Sequence, residues 1–245
     1  MQSRPAGKQT EFLNHLRVTL YKDHEVLLFQ GEVPKEAYVI KKGVVKTYNL
    51  SESGEEQLIE LNTAGDVLPL PWVLGKLPSS LYYYEALTDT ELYCVPRETY
   101  LEYLKTDPQA LFDEFERATL KSLGGMLRLN ALMQPKATHK ILSTIHYLSQ
   151  THGIPLGQDQ IEIDIALTHQ DLANLTGLTR ETTATEINKL KRVGVISYRR
   201  RSIYIVNMPK LKASLNDQFI ADSQINFREP APPTVVGSAV RSRLL

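Results

Sequence analysis

The chain has 245 residues, a hydrophobic fraction of 42% and 28 Lys/Arg against 28 Asp/Glu, enough apolar material for one large domain or two ordinary ones. Its one cysteine, Cys94, excludes an internal disulfide and a cysteine-ligated iron–sulfur cluster, which takes about four thiolates. No run approaches the roughly 20 apolar residues of a membrane span and no N-terminal stretch resembles a signal peptide, so a cytoplasmic protein without membrane contact is expected.

The charge is unevenly spread. Residues 1–135 carry 14 Lys/Arg and 19 Asp/Glu, whereas residues 136–212 carry 11 and 6. Nucleic-acid contact therefore belongs to the second part. From Leu13 to Tyr103 short apolar runs alternate with turn signals, among them Val26–Phe29, Ala37–Ile40, Val44–Tyr48 and Gln57–Leu61, followed by Gly31, Gly43, Gly54 and Gly65. Strands at about 10-residue spacing closed by glycine predict a β-sandwich or barrel. Later strands are expected at Tyr82–Leu87 and Glu91–Val95, the second holding Cys94 as a buried structural thiol.

Asp107 is a good N-cap and Pro108 suits the first helical position. The next proline is Pro135, which allows a helix of about 27 residues, roughly 40 Å long. Phe112, Phe115, Thr119, Ser122, Met126, Leu129 and Met133 form one stripe at spacings of three and four. Leu120, Leu123, Leu127 and Ala131 form a second. Two apolar faces predict that one packs on its own domain and the other on the same helix of a second copy. Gly124-Gly125 breaks the pattern and marks a hinge or a close helix approach. Residues 136–150 predict another amphipathic helix, and Ile161–Ile165 a small strand.

Thr168 then caps a short helix, Gly177 supplies a left-handed turn, and Thr179 caps a second helix whose buried face is Thr183, Ile187 and Leu190. Arg180, Glu181, Ala184 and Thr185 fall on the opposite side near its N-terminus. A major-groove reader presents base-contacting side chains there, Arg to guanine and Glu to cytosine. Residues 194–206 read as a strand–turn–strand wing with Arg199, Arg200 and Arg201 at its tip. Those arginines, Lys189, Lys191 and Arg192 suit phosphate contact. From residue 213 the chain reads as an extension with a disorder signal at Glu229-Pro230-Ala231-Pro232-Pro233.

Taken together, the chain resembles the Crp/Fnr (cyclic-AMP receptor protein) superfamily of transcription regulators over about residues 15–210. Phe29-Gln30-Gly31-Glu32, Tyr38–Val45 and Leu61–Asp66 carry the likeness in the first part. Thr168–Ala173, Gly177 and Thr179–Thr182 carry it in the second. The resemblance implies an α+β chain: an N-terminal β-roll (a cyclic-nucleotide-binding-like jelly roll) sensor over 13–106, a long dimerisation helix over 107–135 and a C-terminal winged helix-turn-helix over 136–212. It implies a homodimer on a near-palindromic double-stranded DNA operator, with RNA polymerase as a partner and no enzymatic activity. Thr168, Gln170, Thr179, Arg180, Glu181, Thr182, Ala184, Thr185, Lys189 and Arg199–Arg201 are the expected DNA contacts. The dimer contact is expected from Phe115, Thr119, Ser122, Met126, Leu129 and Met133.

Departures from the family pattern bear on the effector. Cyclic-AMP-binding relatives carry a Gly-Glu pair for the ribose and an Arg-Ser pair for the phosphate. Here those stretches are Val67–Trp72 and Pro78–Tyr84, and no Arg or Lys lies between Lys76 and Arg97. A buried phosphodiester without a cationic partner is costly. No cofactor is expected; cyclic AMP is disfavoured, the six histidines show no metal-ligand spacing, and haem is left open. Trp72, Tyr82, Tyr83, Tyr84, Ser122 and Met126 are the expected lining of a pocket between roll and helix, for an apolar or weakly polar effector or for none. Thr185 stands where the cyclic-AMP branch has a second arginine, so the half-site should differ in part. Two other classes compete. A haem- or small-molecule-sensing regulator and a protein-binding scaffold with a repurposed winged helix stay open. A cupin-type metal enzyme is disfavoured because His24 is the only histidine between residues 16 and 138.

Overall fold

The computed structural model describes residues 12–13, 15–199 and 202–223. Eight strands build a roll of two four-stranded sheets. The first sheet runs β1 (Arg17–Tyr21), β8 (Thr90–Val95), β3 (Ala37–Lys42), β6 (Val67–Leu68), and the second β2 (Val26–Leu28), β7 (Tyr83–Ala86), β4 (Val45–Leu50), β5 (Glu56–Asn62). All pairings are antiparallel. Leu28, Ile40, Val45, Leu68, Tyr84, Ala86 and Leu92 fill the roll, each from a strand face that alternation turns inward. Gly43 makes the turn between β3 and β4 possible: its φ is +97°, and a Cβ there would lie 2.7 Å from the Asp89 carbonyl oxygen. Cys94 is buried, with Thr19 Oγ1 3.3 Å from its sulfur, as a structural thiol should be.

A four-residue helix, α1 (Leu70–Val73), follows β6, and α2 (Arg97–Thr106) follows β8. Helix α3 spans Pro108–Met133, with Asp107 accepting from the amides of Gln109 and Ala110. Its two stripes separate as their spacing predicts. Leu120, Leu123 and Leu127 are partly buried and Ala131 fully buried, against their own chain. Phe112, Phe115, Met126, Leu129 and Met133 are 58–74% exposed. Helix α4 (Ala137–His152) returns along α3 and buries Ile141, Leu142, Ile145 and Leu148.

Strands β9 (Gly153–Pro155) and β10 (Ile161–Ile163) lead to α5 (His169–Thr176) and α6 (Arg180–Arg192). A hairpin of β11 (Ile196–Arg199) and β12 (Ser202–Ile205) completes a sheet ordered β11-β12-β10-β9. The core of this second unit is continuous with roll residues Val44, Leu58, Leu61 and Leu87. It also reaches beyond residue 212. Helices α7 (Met208–Ala213) and α8 (Gln218–Asp222), with Leu215 in the turn between them, place Met208, Leu211, Leu215 and Ala221 in that core. The first part of the expected extension is thus structural, because its apolar residues pack into the core along α4. The segment Glu229–Pro233 lies outside the described residues. Among the described residues no helix is long and apolar enough to cross a membrane.

Two histidines of α4 are held neutral by this packing. Burial lowers His146, with Lys212 adding to the effect against a backbone hydrogen bond to Ala221. Burial also pushes His152 down to about 4. The unfolded chain, with histidines near 6.5, therefore binds more protons than the folded one between about pH 6.5 and 4. Stability is full above that window and is lost as pH falls through it. The melting temperature should drop between pH 7.5 and 4.5, and His152→Gln should reduce that drop; an unchanged pH profile in the variant would refute the assignment.

Candidate functional site

Helices α5 and α6 meet at Gly177, which sits in the left-handed region (φ 64°, ψ 30°) and donates to the Ala173 carbonyl. Thr168 closes a capping box on α5: its Oγ1 accepts from the Asp171 amide at 3.1 Å while its own amide donates to Asp171 Oδ2 at 2.7 Å. Thr179 Oγ1 accepts from the Thr182 amide at 3.2 Å and caps α6. Leu172, Ala173, Thr183, Ile187 and Leu190 are buried beneath this pair. Ala173 lets the two helices approach closely.

The outward face of α6 carries Arg180, Glu181, Thr185 and Lys189, all exposed; Ala184 and Thr182 sit at its margin, half-buried. Arg180 and Glu181 have no side-chain hydrogen-bond partner among the described residues. Thr185 Oγ1 donates back to the Glu181 carbonyl at 2.8 Å. Lys189 is paired at 2.6 Å with buried Glu186, which also accepts from Thr138 Oγ1 at 2.7 Å. Burial opposes ionisation of Glu186, yet these two donors hold its carboxyl below the usual range. Lys189 is therefore partly committed to positioning α6 on α4, whereas Lys191 and Arg192 are exposed. Gln170 is exposed and donates to Asn174 Oδ1 at 2.7 Å. At the wing, the backbone of Arg199 ends β11, and Arg200 and Arg201 lie outside the described residues.

A cavity of about 400 Å³ lies between the roll and α3. Trp72, Tyr82, Tyr84 and Ser122 line it. Arg97 holds α1, and with it Trp72, by donating from Nε to the Trp72 and Val73 carbonyls at 3.2 and 3.0 Å. Tyr83 and Met126 are not in the lining, contrary to expectation. Strand alternation turns Tyr83 to the opposite face of β7, where it stacks on Tyr48 with ring centroids 5.1 Å apart. Met126 is on the outer stripe of α3, beyond the cavity's end, and 65% exposed. A further correction concerns charge. The cations missing between Lys76 and Arg97 are supplied to the cavity by α3, whose Arg117 and Lys121 both line it. A polar series at 114, 117, 121 and 128, spaced by threes, fours and sevens between the two apolar stripes, was the sequence signal for them.

Arg128, the last of that series, ties the two units together. Its guanidinium donates to the carbonyls of Leu58 and Ile59 in β5 and, at 3.3 Å, to the carbonyl of Leu175 near the end of α5. Asn174 adds a contact to Glu56 at 3.3 Å. Ile59 is the extra residue of a bulge, since Thr47 pairs with Glu60 and Tyr48 with Leu58. Ile59 also lines the cavity.

A model of the cyclic nucleotide-binding domain matches residues 18–107, and one of the Crp-like helix-turn-helix domain matches residues 139–214. The two lie in the order, and on the elements, just described. The chain belongs to the Crp/Fnr family. It is 26% identical over 207 residues to the global nitrogen regulator of Synechococcus elongatus, covering 83% of this chain and 90% of that protein. It is likewise 26% identical to the regulatory protein HlyX of Actinobacillus pleuropneumoniae, covering 76% and 77%. The solved structure of FixK2 from Bradyrhizobium japonicum superposes with a TM-score of 0.68 at 20% identity, covering 82% of this chain and 98% of that one. As a Crp/Fnr member, the chain is a transcription regulator with a helix-turn-helix DNA-binding domain.

Truncating the Arg128 bridge should loosen the reading unit. Arg128→Met should cost on the order of 2–3 kcal/mol, because buried carbonyls of β5 and α5 lose their donors. Hydrogen exchange should accelerate at residues 56–62 and 172–178; unchanged protection there would show that Arg128 is dispensable.

Proposed function

We propose that the chain is a homodimeric regulator whose α6 reads the major groove of a near-palindromic operator, under the control of an effector other than cyclic AMP held between roll and α3. The observation that carries the reading is the pairing of exposed Arg180 and Glu181 at the capped N-terminus of α6, on a unit fixed from behind by buried apolar residues. Bidentate Arg-to-guanine and Glu-to-cytosine contacts need side chains that are exposed and uncommitted, as these are. Thr168, Gln170, Thr179 and Thr182 flank them at the two helix N-termini, where backbone amides and hydroxyls meet phosphate. Lys189, Lys191 and Arg192 supply the electrostatic margin, to which the sequence adds Arg199, Arg200 and Arg201.

The exposed stripe on α3 supports the dimer. Five large apolar residues lie along it, Phe112, Phe115, Met126, Leu129 and Met133, and a face of this kind costs stability unless it is covered. Thr119, Ser122 and Gly125 give it small positions at which a second α3 comes close; a Cβ at Gly125 would meet nothing within 4 Å. Two α6 helices in such a dimer meet half-sites about one helical turn, roughly 34 Å, apart. Arg117 and Lys121 stand on α3, and the stretch Val67–Trp72 offers apolar side chains where ribose hydroxyls need partners. That arrangement disfavours a cyclic nucleotide. A reader of operators works where the chromosome is, in the cytoplasm, and RNA polymerase is the partner through which it acts.

Selection of genomic fragments by purified protein should return a two-fold-related motif. On that motif Arg180→Ala/Glu181→Ala should lose about 100-fold in affinity, near 1–3 kcal/mol for each contact, while non-specific binding at low salt persists. Retention of full sequence-specific affinity would eliminate these residues as readers. Leu129→Glu should shift the sedimentation coefficient to that of a monomer; a variant that stays dimeric would place the interface elsewhere.

A further inference from the structure

The outward face of α6 extends beyond the Arg180–Glu181 pair. Thr183, Glu186, Ile187 and Leu190 are the buried residues of this helix. At about 100° per residue, the line directly opposite them runs through Glu181, Thr185, Asn188 and Arg192, all exposed. Arg180 and Ala184 lie along one margin of that line, Thr182 and Lys189 along the other. With Arg180, Lys189, Lys191 and Arg192 on or beside it, the face has the charge that a phosphate-walled groove requires. Positions 181, 184, 185 and 188 also have the spacing i, i+3, i+4, i+7 with which a helix lying in the major groove presents its base-contacting side chains.

Asn188 stands in the middle of this helix, and neither propensity nor contact explains it. Asparagine is a poor residue for a helix interior, and no hydrogen bond engages its amide among the described residues. Thr185 is a second poor helix former on the same line. Its hydroxyl donates to the Glu181 carbonyl at 2.8 Å, so it has no proton left for a base, and the γ-methyl is the group left to present. We infer that Asn188 and Thr185 extend the reading of each half-site onto A·T pairs. The Asn188 amide takes an adenine through N6 and N7, and the Thr185 γ-methyl, with the Ala184 methyl beside it, packs on the 5-methyl of a thymine. Asn188 stands about 10 Å along the helix from Glu181, so its adenine lies about three base pairs from the cytosine taken by Glu181. The thymine lies between them. The inference rests on the proposed reading of DNA by α6 and names part of the sequence that it reads.

Fluorescence anisotropy of the full chain, on duplexes carrying its selected motif, tests this with two base analogues. Uracil in place of the thymine removes only the 5-methyl, and 7-deazaadenine in place of the adenine removes only the N7 acceptor. For the parent chain, uracil should weaken binding about fourfold, the worth of one buried methyl, and 7-deazaadenine about tenfold. Thr185→Val keeps a methyl and loses the hydroxyl, and should keep the uracil penalty. Thr185→Ser does the opposite and should abolish it. Asn188→Ala should abolish the 7-deazaadenine penalty and leave the uracil penalty in place. The inference is overturned if neither analogue weakens binding by the parent chain, if the uracil penalty survives in Thr185→Ser, or if the 7-deazaadenine penalty survives in Asn188→Ala. A motif without A·T pairs at these steps overturns it as well. A two-fold motif that is lost in Arg180→Ala/Glu181→Ala but indifferent to both analogues removes this inference and leaves the reading by α6 standing.

Discussion

The structure depends on one helix serving two cores. One side of α3 closes the roll and packs on α4, while its opposite stripe is left apolar and exposed. At Arg128 this sharing becomes a specific constraint. Its two Nη groups, held away from water, donate to the carbonyls of β5 and α5, while its buried Nε has no hydrogen-bond partner among the described residues. A charged group that would be costly in any looser arrangement thus fixes the angle of the reading unit against the roll. The continuous apolar core through Leu58, Leu61 and Leu175 supplies the cohesion. The guanidinium supplies the geometry, since hydrogen bonds are directional and apolar burial is not.

The cavity wall and the clasp share a residue. Ile59 is displaced by the β4–β5 bulge, its side chain borders the cavity and its carbonyl accepts from Arg128. In a regular strand successive carbonyls point to opposite sides; at the bulge of edge strand β5 those of Leu58 and Ile59 both accept from Arg128.

Much of this was legible in the chain itself. Thr168, Gly177 and Thr179 announced the two capped helices because caps and left-handed turns are local requirements, satisfied within four residues. The period of Leu120, Leu123, Leu127 and Ala131 separated the inner face of α3 from the outer one for a similar reason. The cavity was less legible. Tyr82, Tyr83 and Tyr84 look alike in sequence, and only the pleat of β7 shows that Tyr83 points away. No Arg or Lys lies between Lys76 and Arg97, and the cavity draws its cations from a helix some 30 residues later; the polar series on that helix marks a distinct face, but nothing local reports that it meets the roll.

Sequence alone therefore determined the element order, the family, the capped helix pair and the outer apolar stripe of α3, because each rests on short-range periodicity, capping or a contiguous motif. The tertiary structure decided which tyrosines face the cavity, that Arg117 and Lys121 supply its charge, that residues up to Ala221 belong to the core, and that Arg128 joins β5 to α5. Those features arise from side chains far apart in the chain meeting across a fold. The burial that sets Arg117 beside Glu114 exists only once the roll has closed on α3.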